Sequence, residues 1–353
     1  MKLKDIIGGI SRSESVKDVY ISLFSILLAL IIGAFLIFLI GSSPLQAFTV
    51  MLDGAFGSVS NIANTLTKTI PLIFTGLAVA VAFRCGLFNI GAEGQLYLGA
   101  FFSVLTALKF SFLPAFLLLP VAILGGIISG MIWGGIPGFL KAQFGTHEVV
   151  VTVMMNYIGI NITSYLVNYP FKAEGWVAQT DIIPTAAILP KLIPKTQLSA
   201  GLIVAVIAAL AVYFLLWKTD IGYEIRAVGE NQTTAESGGI NIKKNISLAM
   251  AISGGLAALA GVTQSLGVYE RFIDGFSPGY GFTGIAVAVL GRNHPLGVIL
   301  TALLFGALET GALKMDRVTE VSNDLVIVIQ GLVILFVAAP EIIRSILKRR
   351  ESQ

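Results

Sequence analysis

Apolar runs long enough to cross a lipid bilayer recur along almost the whole chain. A transmembrane helix needs roughly 20 mostly apolar residues to cross a hydrocarbon core of about 30 Å, and the first run, 20–40, has that length. Only 12% of the 353 residues are charged, whereas a soluble domain carries roughly 25%, so the chain cannot cover itself with a polar surface. We therefore predict an all-α, polytopic membrane protein that forms a single domain over residues 1–353.

The pattern predicts about ten transmembrane helices, one of them short. The eighth run is too short to cross the hydrocarbon core, so we expect a half-helix or a re-entrant segment there. The first run lacks a small-residue cleavage site close behind it and is predicted to be a retained helix rather than a signal peptide. The predicted spans are 20–40, 62–83, 94–110, 113–136, 148–168, 197–217, 246–267, 281–291, 295–313 and 324–346.

Basic residues are distributed unevenly between the two sides of the predicted membrane. An even number of spans places both termini on one side, and that side collects fifteen of the 23 lysines and arginines, against eight on the other. Because basic residues concentrate in cytoplasmic loops, we predict that both termini and the segment 218–245 are cytoplasmic. The connection 169–197 is then external.

Several kinds of chemistry lack the residues that they require. The single cysteine, Cys85, excludes an internal disulfide, and the two histidines have no metal-ligand spacing. The chain has no G-x-x-x-x-G-K-[ST] phosphate loop, no nucleophile elbow and no paired catalytic carboxylates. The segment 279–284 fits G-x-G-x-x-G, but no strand precedes it, so we interpret it as a bend before the eighth span. We predict no enzymatic activity, no cofactor bound by this chain and no nucleic-acid partner.

The segment 218–245 is a polar interruption between two apolar runs, with four basic and four acidic residues. Thr233 and Glu236 have the spacing of a capping box. Gly238 and Gly239 provide a stop, so we predict a helix of one or two turns between them. Two interpretations stay open. The segment is either a solvated loop between two membrane helices or a docking helix on which a soluble partner acts.

The segment 86–100 places three polar side chains, Asn89, Glu93 and Gln95, beside the third predicted span. Irregular backbone at membrane depth is tolerated only where protein or a water-filled cavity receives it. The glycines of the segment permit close packing or a bend. Two interpretations again stay open: a broken helix that lines a solute path, or a turn whose polar groups are satisfied by neighbouring spans.

Further candidates for a solute path lie on the fifth and ninth predicted spans. Thr152, Asn156 and Thr163 fall within about 40° on one face of a helix with 3.6 residues per turn. Such a stripe either lines a path or bonds to neighbouring helices. Glu309 is a carboxylate inside an apolar run, which is a functional-site hypothesis by default. Its place near the outer end of the span, close to Lys314, favours snorkelling or local pairing instead.

Two stretches resemble a known family of transporters. The sequence GLFNIGAEGQLYLGA, with IPLIFTGLAVAVAFRCG before it, resembles bacterial ABC-transporter inner-membrane permeases of the ribose and branched-chain amino-acid type. Within that group, the chain is most similar to nucleoside and simple-sugar permeases that work with a basic-membrane-protein lipoprotein. The stretch GYEIRAVGENQTTAESGGINIKK is similar to the cytoplasmic coupling loop of the family. Thr234 stands where the family commonly has the first of two alanines.

The resemblance implies the transmembrane subunit of an ATP-driven importer in the bacterial cytoplasmic membrane. Its partners would be a second permease chain, cytoplasmic ABC ATPase subunits that hydrolyse the ATP, and an extracellular solute-binding lipoprotein. The segment 218–245 would be the coupling loop. The residues expected to couple it to the ATPase are Gly222, Arg226, Ala227, Gly229, Asn231, Thr233, Ala235, Glu236 and Gly239.

The resemblance favours nucleosides as the solute and leaves simple sugars such as ribose as an alternative. Four aromatic residues before the eighth span could stack on a nucleobase, although aromatic residues also gather at membrane interfaces without a functional reason. They are Tyr269, Phe272, Phe276 and Tyr280. A self-sufficient secondary transporter is a further alternative, but Glu309 is its only plausible buried titratable group, and no inverted repeat is evident.

Overall fold

The computed structural model describes residues 27–319, 321–322, 324–332 and 335–336, and the described part is helical. Antiparallel bridges join Gln179 to Ile273 and Lys191 to Ser199. The α-helices are α1 (Leu27–Leu39), α2 (Pro44–Phe56), α3 (Val59–Arg84), α4 (Ala92–Lys109), α5 (Ala115–Phe144), α6 (Glu148–Asn168), α7 (Gly201–Lys218), α8 (Asp220–Glu230), α9 (Gln232–Ser237), α10 (Ile242–Gln264), α11 (Tyr280–Leu290) and α12 (Pro295–Val318). A short 3₁₀ helix covers Thr185–Ala187, and α10 continues into a π-helical turn at Ser265–Tyr269. Residues 324–332 are also helical.

Six of the described helices are long and apolar enough to cross a membrane. They are α3, α5, α6, α7, α10 with its π-helical turn, and α12. The pair α1 and α2, bent by 120°, brings the number to seven if it counts as one span. The predicted class, an all-α polytopic membrane protein, is therefore confirmed. Six of the ten predicted spans coincide with these six helices.

The other four predicted spans have different outcomes. The third is α4, an 18-residue helix that begins with Glu93 in its first turn, and the eighth is α11, an apolar helix of only 11 residues, as its short run indicated. The first and last spans, 20–40 and 324–346, lie partly outside the described residues. The total of ten stays a prediction.

The described residues form two compact units, one within 59–307 and the other within 1–58 and 308–353. In the larger unit, α10 packs against α3, α4 and α5. Glycines make these contacts close, because a Cβ on Gly99 of α4, Gly130 of α5 or Gly261 of α10 would overlap backbone atoms of a neighbouring helix. On α5, glycines at 126, 130, 134 and 138 recur every four residues on one face. This spacing of small residues brings membrane helices to backbone contact.

Two adjacent glycines of α5 make this packing testable. A Cβ on Gly134 would lie 2.7 Å from the carbonyl oxygen of Met250 and 2.8 Å from Cα of Gly254, whereas a Cβ on Gly135 would meet nothing closer than 3.7 Å. We expect Gly134→Ala to destabilise the fold by about 1–3 kcal/mol through overpacking. Gly135→Ala, the matched control, should be neutral or stabilise by about 0.5–1 kcal/mol, because alanine is the better helix former. Thermal unfolding in detergent measures both, and equal midpoints would contradict the close contact.

In the smaller unit, the end of α12 packs against α2. A Cβ on Gly54 would lie 2.7 Å from Cβ of Lys314, and the ammonium of Lys314 forms an ion pair with Asp53 of α2. Glu309 lies on the same part of α12 and is half-buried. Lys314 thus pairs with Asp53, and the local pairing expected of Glu309 stays a prediction.

Candidate functional site

The segment 218–245 folds into two helices that are separated by one residue. Helix α7 ends at Lys218, and Thr219 caps α8, because its hydroxyl accepts a hydrogen bond from the backbone N–H of Gly222 at 3.2 Å. Asn231 then ends α8 and caps α9, since its side-chain oxygen accepts from the N–H of Thr234 at 3.0 Å. The segment is therefore largely helical, and the choice between a solvated connection and a docking helix stays open.

The predicted short helix is present, but its predicted cap is wrong. Asn231 is the N-cap of α9, and Thr233 lies inside the helix, where its carbonyl accepts the hydroxyl of Ser237. Loss of helix stability, about 1 kcal/mol for a removed cap, is therefore expected for Asn231→Ala rather than for Thr233→Ala. The predicted stop is confirmed, because Gly239 has a φ of +82° and the following N–H, from Ile240, bonds back to the carbonyl of Ala235 at 3.0 Å.

Helix α8 is absent from the sequence prediction. Its inner face consists of Gly222, Ile225 and Val228, which are buried at helical spacing. Two glycines of the segment, Gly222 and Gly229, permit this packing. A Cβ on Gly222 would overlap the backbone of α7, and one on Gly229 would overlap the carbonyl of Arg84 at the end of α3. The three-residue spacing of Gly222, Ile225 and Val228 was the sequence signal for this helix. The glycines concealed it, because glycine is typical of loops and turns.

Ala235 lies on the side of α9 that faces the rest of the chain rather than solvent. It is 5% exposed, and α9 lies against α8 and α10. Its small size is therefore explained by the packing of α9 against α8 and α10. The surface that α9 offers to solvent consists of the exposed residues Gln232, Thr233, Thr234, Glu236 and Ser237.

Arg226 lies over an aromatic cluster at the ends of α3 and α7. Its guanidinium carbon is 5.8 Å from the ring centre of Trp217, and that of Arg84 is 5.2 Å from the same ring. The ring of His294 lies 5.0 Å from Trp217. Burial lowers the pKa of His294, and the charge of Arg84 lowers it further. Arg226 therefore holds α8 to the end of α7.

Arg84 links three parts of the chain. Its guanidinium donates to the backbone carbonyls of Asn293 at 3.0 Å and Arg292 at 3.2 Å, in the turn between α11 and α12. In the sequence, Arg84 and Arg292 contribute only to the charge asymmetry that predicts orientation. Their position at the end of an apolar run was the sequence signal for a structural role, because a cation at a helix end bonds readily to nearby carbonyls.

Cys85 is completely buried beside this cluster, and its thiol is expected to resist modification. Burial raises its pKa to about 12, and Sγ contacts the carbonyl of Asn245 at 3.8 Å. Because the thiolate is the reactive form, a raised pKa lowers reactivity at neutral pH. We expect negligible labelling by N-ethylmaleimide in native membranes and full labelling after denaturation. Lys244→Cys, at an exposed position, is the reactive control in opened membranes. Rapid labelling of native Cys85 would contradict the burial.

The polar residues of segment 86–100 form a buried network. Asn89 donates to the side-chain oxygen of Gln95 and to the hydroxyl of Ser253 on α10, both at 2.8 Å. Its own oxygen accepts from the N–H of Gly91 at 3.1 Å. The hydroxyl of Ser253 continues to the carbonyl of Ala78 on α3 at 2.6 Å. The turn between α3 and α4 is thus tied to α10 by side chains that are at most 1% exposed.

The remaining candidates on α4 and α6 also bond within the fold. The carboxylate of Glu93 accepts from the N–H of Gly281 at the start of α11, and the side-chain oxygen of Asn156 accepts from the N–H of Gly94. Thr152 and Thr163 are buried, and each hydroxyl donates to carbonyls of its own helix. The stripe on α6 therefore exists, and its Asn156 binds α4. These contacts favour the structural interpretation, and a solute-path role for the six residues stays a prediction.

The aromatic residues before α11 pack on one another. Phe272 is wholly buried, with its ring centre 5.3 Å from Phe101 and 5.7 Å from Phe276. The hypothesis that Phe272 stacks on a solute is therefore wrong for this conformation. Of the G-x-G-x-x-G segment, Gly279 forms the predicted bend, with a φ of +98°, whereas 280–284 are already the start of α11.

These features define a polytopic membrane protein with a folded pair of helices at one end of its spans. The chain belongs to the family described as branched-chain amino acid transport system / permease component, which matches residues 61–338. The resemblance found in the sequence is confirmed. The chain is thus a permease subunit of an ABC importer and is not an enzyme. Membership in this family excludes the alternative of a self-sufficient secondary transporter, and such subunits leave ATP hydrolysis to a partner.

Three curated relatives cover most of the chain. The guanosine ABC transporter permease protein NupP of Bacillus subtilis is 39% identical over 332 residues, 93% of this chain and 95% of the relative. The nucleoside ABC transporter permease protein NupB of Lactococcus lactis is 34% identical over 350 residues, 96% of each chain. The glucose ABC transporter permease protein TsgB13 of Haloferax volcanii is 36% identical over 328 residues, 90% of this chain and 86% of the relative.

Proposed function

We propose that this permease subunit translocates nucleosides across the bacterial cytoplasmic membrane. The observation that carries the proposal is the near full-length similarity to two permeases named for guanosine and for nucleosides, at 39% and 34% identity. A simple sugar is the second candidate solute, because a permease named for glucose is similar at 36% identity over 90% of this chain. The identities alone do not separate the two solutes.

The proposed mechanism assigns a mechanical role to α8 and α9. Nucleotide-driven closure of the ATPase would displace α9, and α8 would pass the displacement on to the ends of α3 and α7. The rigid seat of α8 supports this assignment: Gly222 and Gly229 permit contact with α7 and Arg84, and Glu224 accepts a hydrogen bond from Asn245 of α10 at 2.8 Å. The coupling residues predicted from the sequence lie in α8 and α9 or directly beside them. Ala235 contributes by fixing the position of α9.

The proposed complex contains this chain, a second permease chain, cytoplasmic ATPase subunits and an extracellular lipoprotein that delivers the solute. Permease subunits of this class leave ATP hydrolysis to the partner, so the proposal assigns no cofactor to this chain.

Uptake by the reconstituted complex tests the solute. We expect ATP-dependent import of labelled guanosine, adenosine or uridine, with competition by unlabelled nucleosides and none by a large excess of glucose or ribose. The matched control is the same complex with an ATPase that cannot hydrolyse ATP. Import of a free sugar without import of any nucleoside would replace the first candidate by the second.

The proposed ten-span topology places both termini and Lys244 in the cytoplasm and Gly175 outside. We expect an impermeant thiol reagent to label Gly175→Cys in intact cells and to label Lys244→Cys only after the membrane is opened. Both positions are exposed, so accessibility depends on the side of the membrane. A Cys85→Ser background removes the remaining thiol. Labelling of Lys244→Cys in intact cells would contradict the topology.

A further inference from the structure

A cavity of about 490 Å³ lies beside α8 in the larger unit, and three arginines line it. Arg84 comes from the end of α3, Arg226 from α8, and Arg292 from the turn before α12. The carboxylate of Glu230 and the side chain of Asn293 also line the cavity. Three guanidinium groups and one carboxylate give the cavity an excess of positive charge.

Glu230 attracts the guanidinium of Arg84 but lies beyond ion-pair distance. Within the described residues, neither Arg84 nor Arg226 forms an ion pair. Both guanidinium groups instead lie over the ring of Trp217. Nε of Arg226 is buried and has no hydrogen-bond partner among the described residues. Like charges that share a partly enclosed site repel one another more strongly than in water, and a bound anion would relieve this repulsion.

The size and lining of the cavity indicate the kind of anion. Arginine presents planar pairs of N–H donors that match the oxygens of phosphate groups. A cavity of this volume has room for more than one phosphate group, and the rings of Phe83 and Tyr223 line part of it. An anion with an organic portion therefore fits better than a simple ion. Arg84 ends a membrane span, so both lipid headgroups and soluble cytoplasmic compounds can approach from that side.

We propose that this cavity binds the phosphate group of an organic phosphate, either an anionic phospholipid headgroup or a soluble phosphate monoester. Arg226, Arg292 and Arg84 hold the phosphate oxygens, and Tyr223 contacts the organic portion. The ligand joins α8 to the end of α3 and to the turn before α12. Because α9 follows α8 after one residue, occupancy also fixes the position of α9, and this last step rests on the proposed function.

Thermal stability of the purified complex tests the proposal. The probes are guanosine 5′-monophosphate and inorganic phosphate in delipidated detergent, and phosphatidylglycerol against phosphatidylcholine in nanodiscs. We expect either the monophosphate or phosphatidylglycerol to raise the unfolding midpoint, whereas guanosine and phosphatidylcholine should not. Stabilisation by the monophosphate identifies a soluble source, and stabilisation confined to phosphatidylglycerol identifies a lipid source.

Substitutions of the lining residues test whether the phosphate binds in this cavity. Arg226→Gln and Arg292→Gln should each weaken binding by about 10- to 100-fold, the value of a charge-assisted hydrogen bond. Lys243→Gln is the matched control, because it removes an exposed positive charge outside the cavity and should leave binding unchanged. Glu230→Gln keeps all three guanidinium groups and should tighten binding, so it tests the site even if an arginine variant fails to fold.

Three results would overturn the proposal. The first is the absence of stabilisation by any phosphate probe. The second is binding that all the cavity variants leave unchanged, which would place the phosphate elsewhere. The third is loss of the ATPase from Arg226→Gln complexes without any phosphate binding, which would make the cavity a receptor for an acidic side chain of that partner. None of these results depends on which solute is imported, so failure here and failure of the proposed solute are distinguishable.

Discussion

Replacing Ala235 with arginine is expected to abolish transport and to release the ATPase, while the chain still inserts into the membrane. Ala235 is 5% exposed on the inner face of α9, where a charged side chain has no room and would have to be desolvated. A helix of six residues has no stability of its own in water, so α9 keeps its position only through its contacts with α8 and α10. Copurification of the ATPase and solute uptake measure the effect.

Two controls separate the position of α9 from direct contact with the partner. Ala235→Ser adds one small polar atom and should retain most uptake. Thr233→Arg changes the exposed face of α9 and should weaken ATPase binding without lowering the thermal stability of the isolated permease. If Ala235→Arg kept the ATPase bound with wild-type uptake, α9 would have no role in coupling.

Replacing Asn89 with leucine is expected to prevent stable folding. Asn89 bonds to Gln95, Ser253 and the N–H of Gly91, and leucine would leave these buried groups without their partner. Each such group costs about 1–3 kcal/mol, so the combined loss is a large part of the stability of a typical domain. Thermal unfolding and the yield of monodisperse protein after detergent extraction report the effect.

Asn161→Leu is the matched control for Asn89→Leu. Asn161 is exposed on α6 and donates to the carbonyl of Tyr157 in its own helix, so leucine there should leave the unfolding midpoint nearly unchanged. The pair also tests the solute-path hypothesis. An Asn89→Leu protein that folds with wild-type stability but no longer transports would show that Asn89 serves the solute path rather than the fold.

The positions of the membrane helices could be predicted from hydropathy, whereas the structure at their ends could not. A run of apolar residues identifies a span regardless of what surrounds it, and 62–83 thus became α3. Helix α8 depends instead on which surface receives it. Gly222 and Gly229 are helix-weakening residues in isolation, but they permit contact with the ends of α7 and α3.

The candidate site was predictable in location but not in orientation. Sequence motifs located segment 218–245 and the polar residues near 89–95. They did not indicate that Asn231 caps α9, because Thr233 also satisfied the capping pattern. They did not indicate that Ala235 faces inward either, since a six-residue helix is too short to show a hydrophobic face. The arginine cavity combines residues from three distant parts of the chain, and only the fold brings them together.

The glycine contacts among α4, α5 and α10 bear on how a permease of this kind can move. Where Gly130 of α5 meets Gly254 of α10, and Gly261 meets Leu96 of α4, the backbones themselves touch. Sliding one helix past another by part of a turn would drive a neighbouring Cβ into a carbonyl oxygen, and close-packed surfaces of this kind tend toward discrete arrangements rather than gradual deformation. We therefore expect these three helices to move as one block, with any relative movement confined to their contacts with other helices.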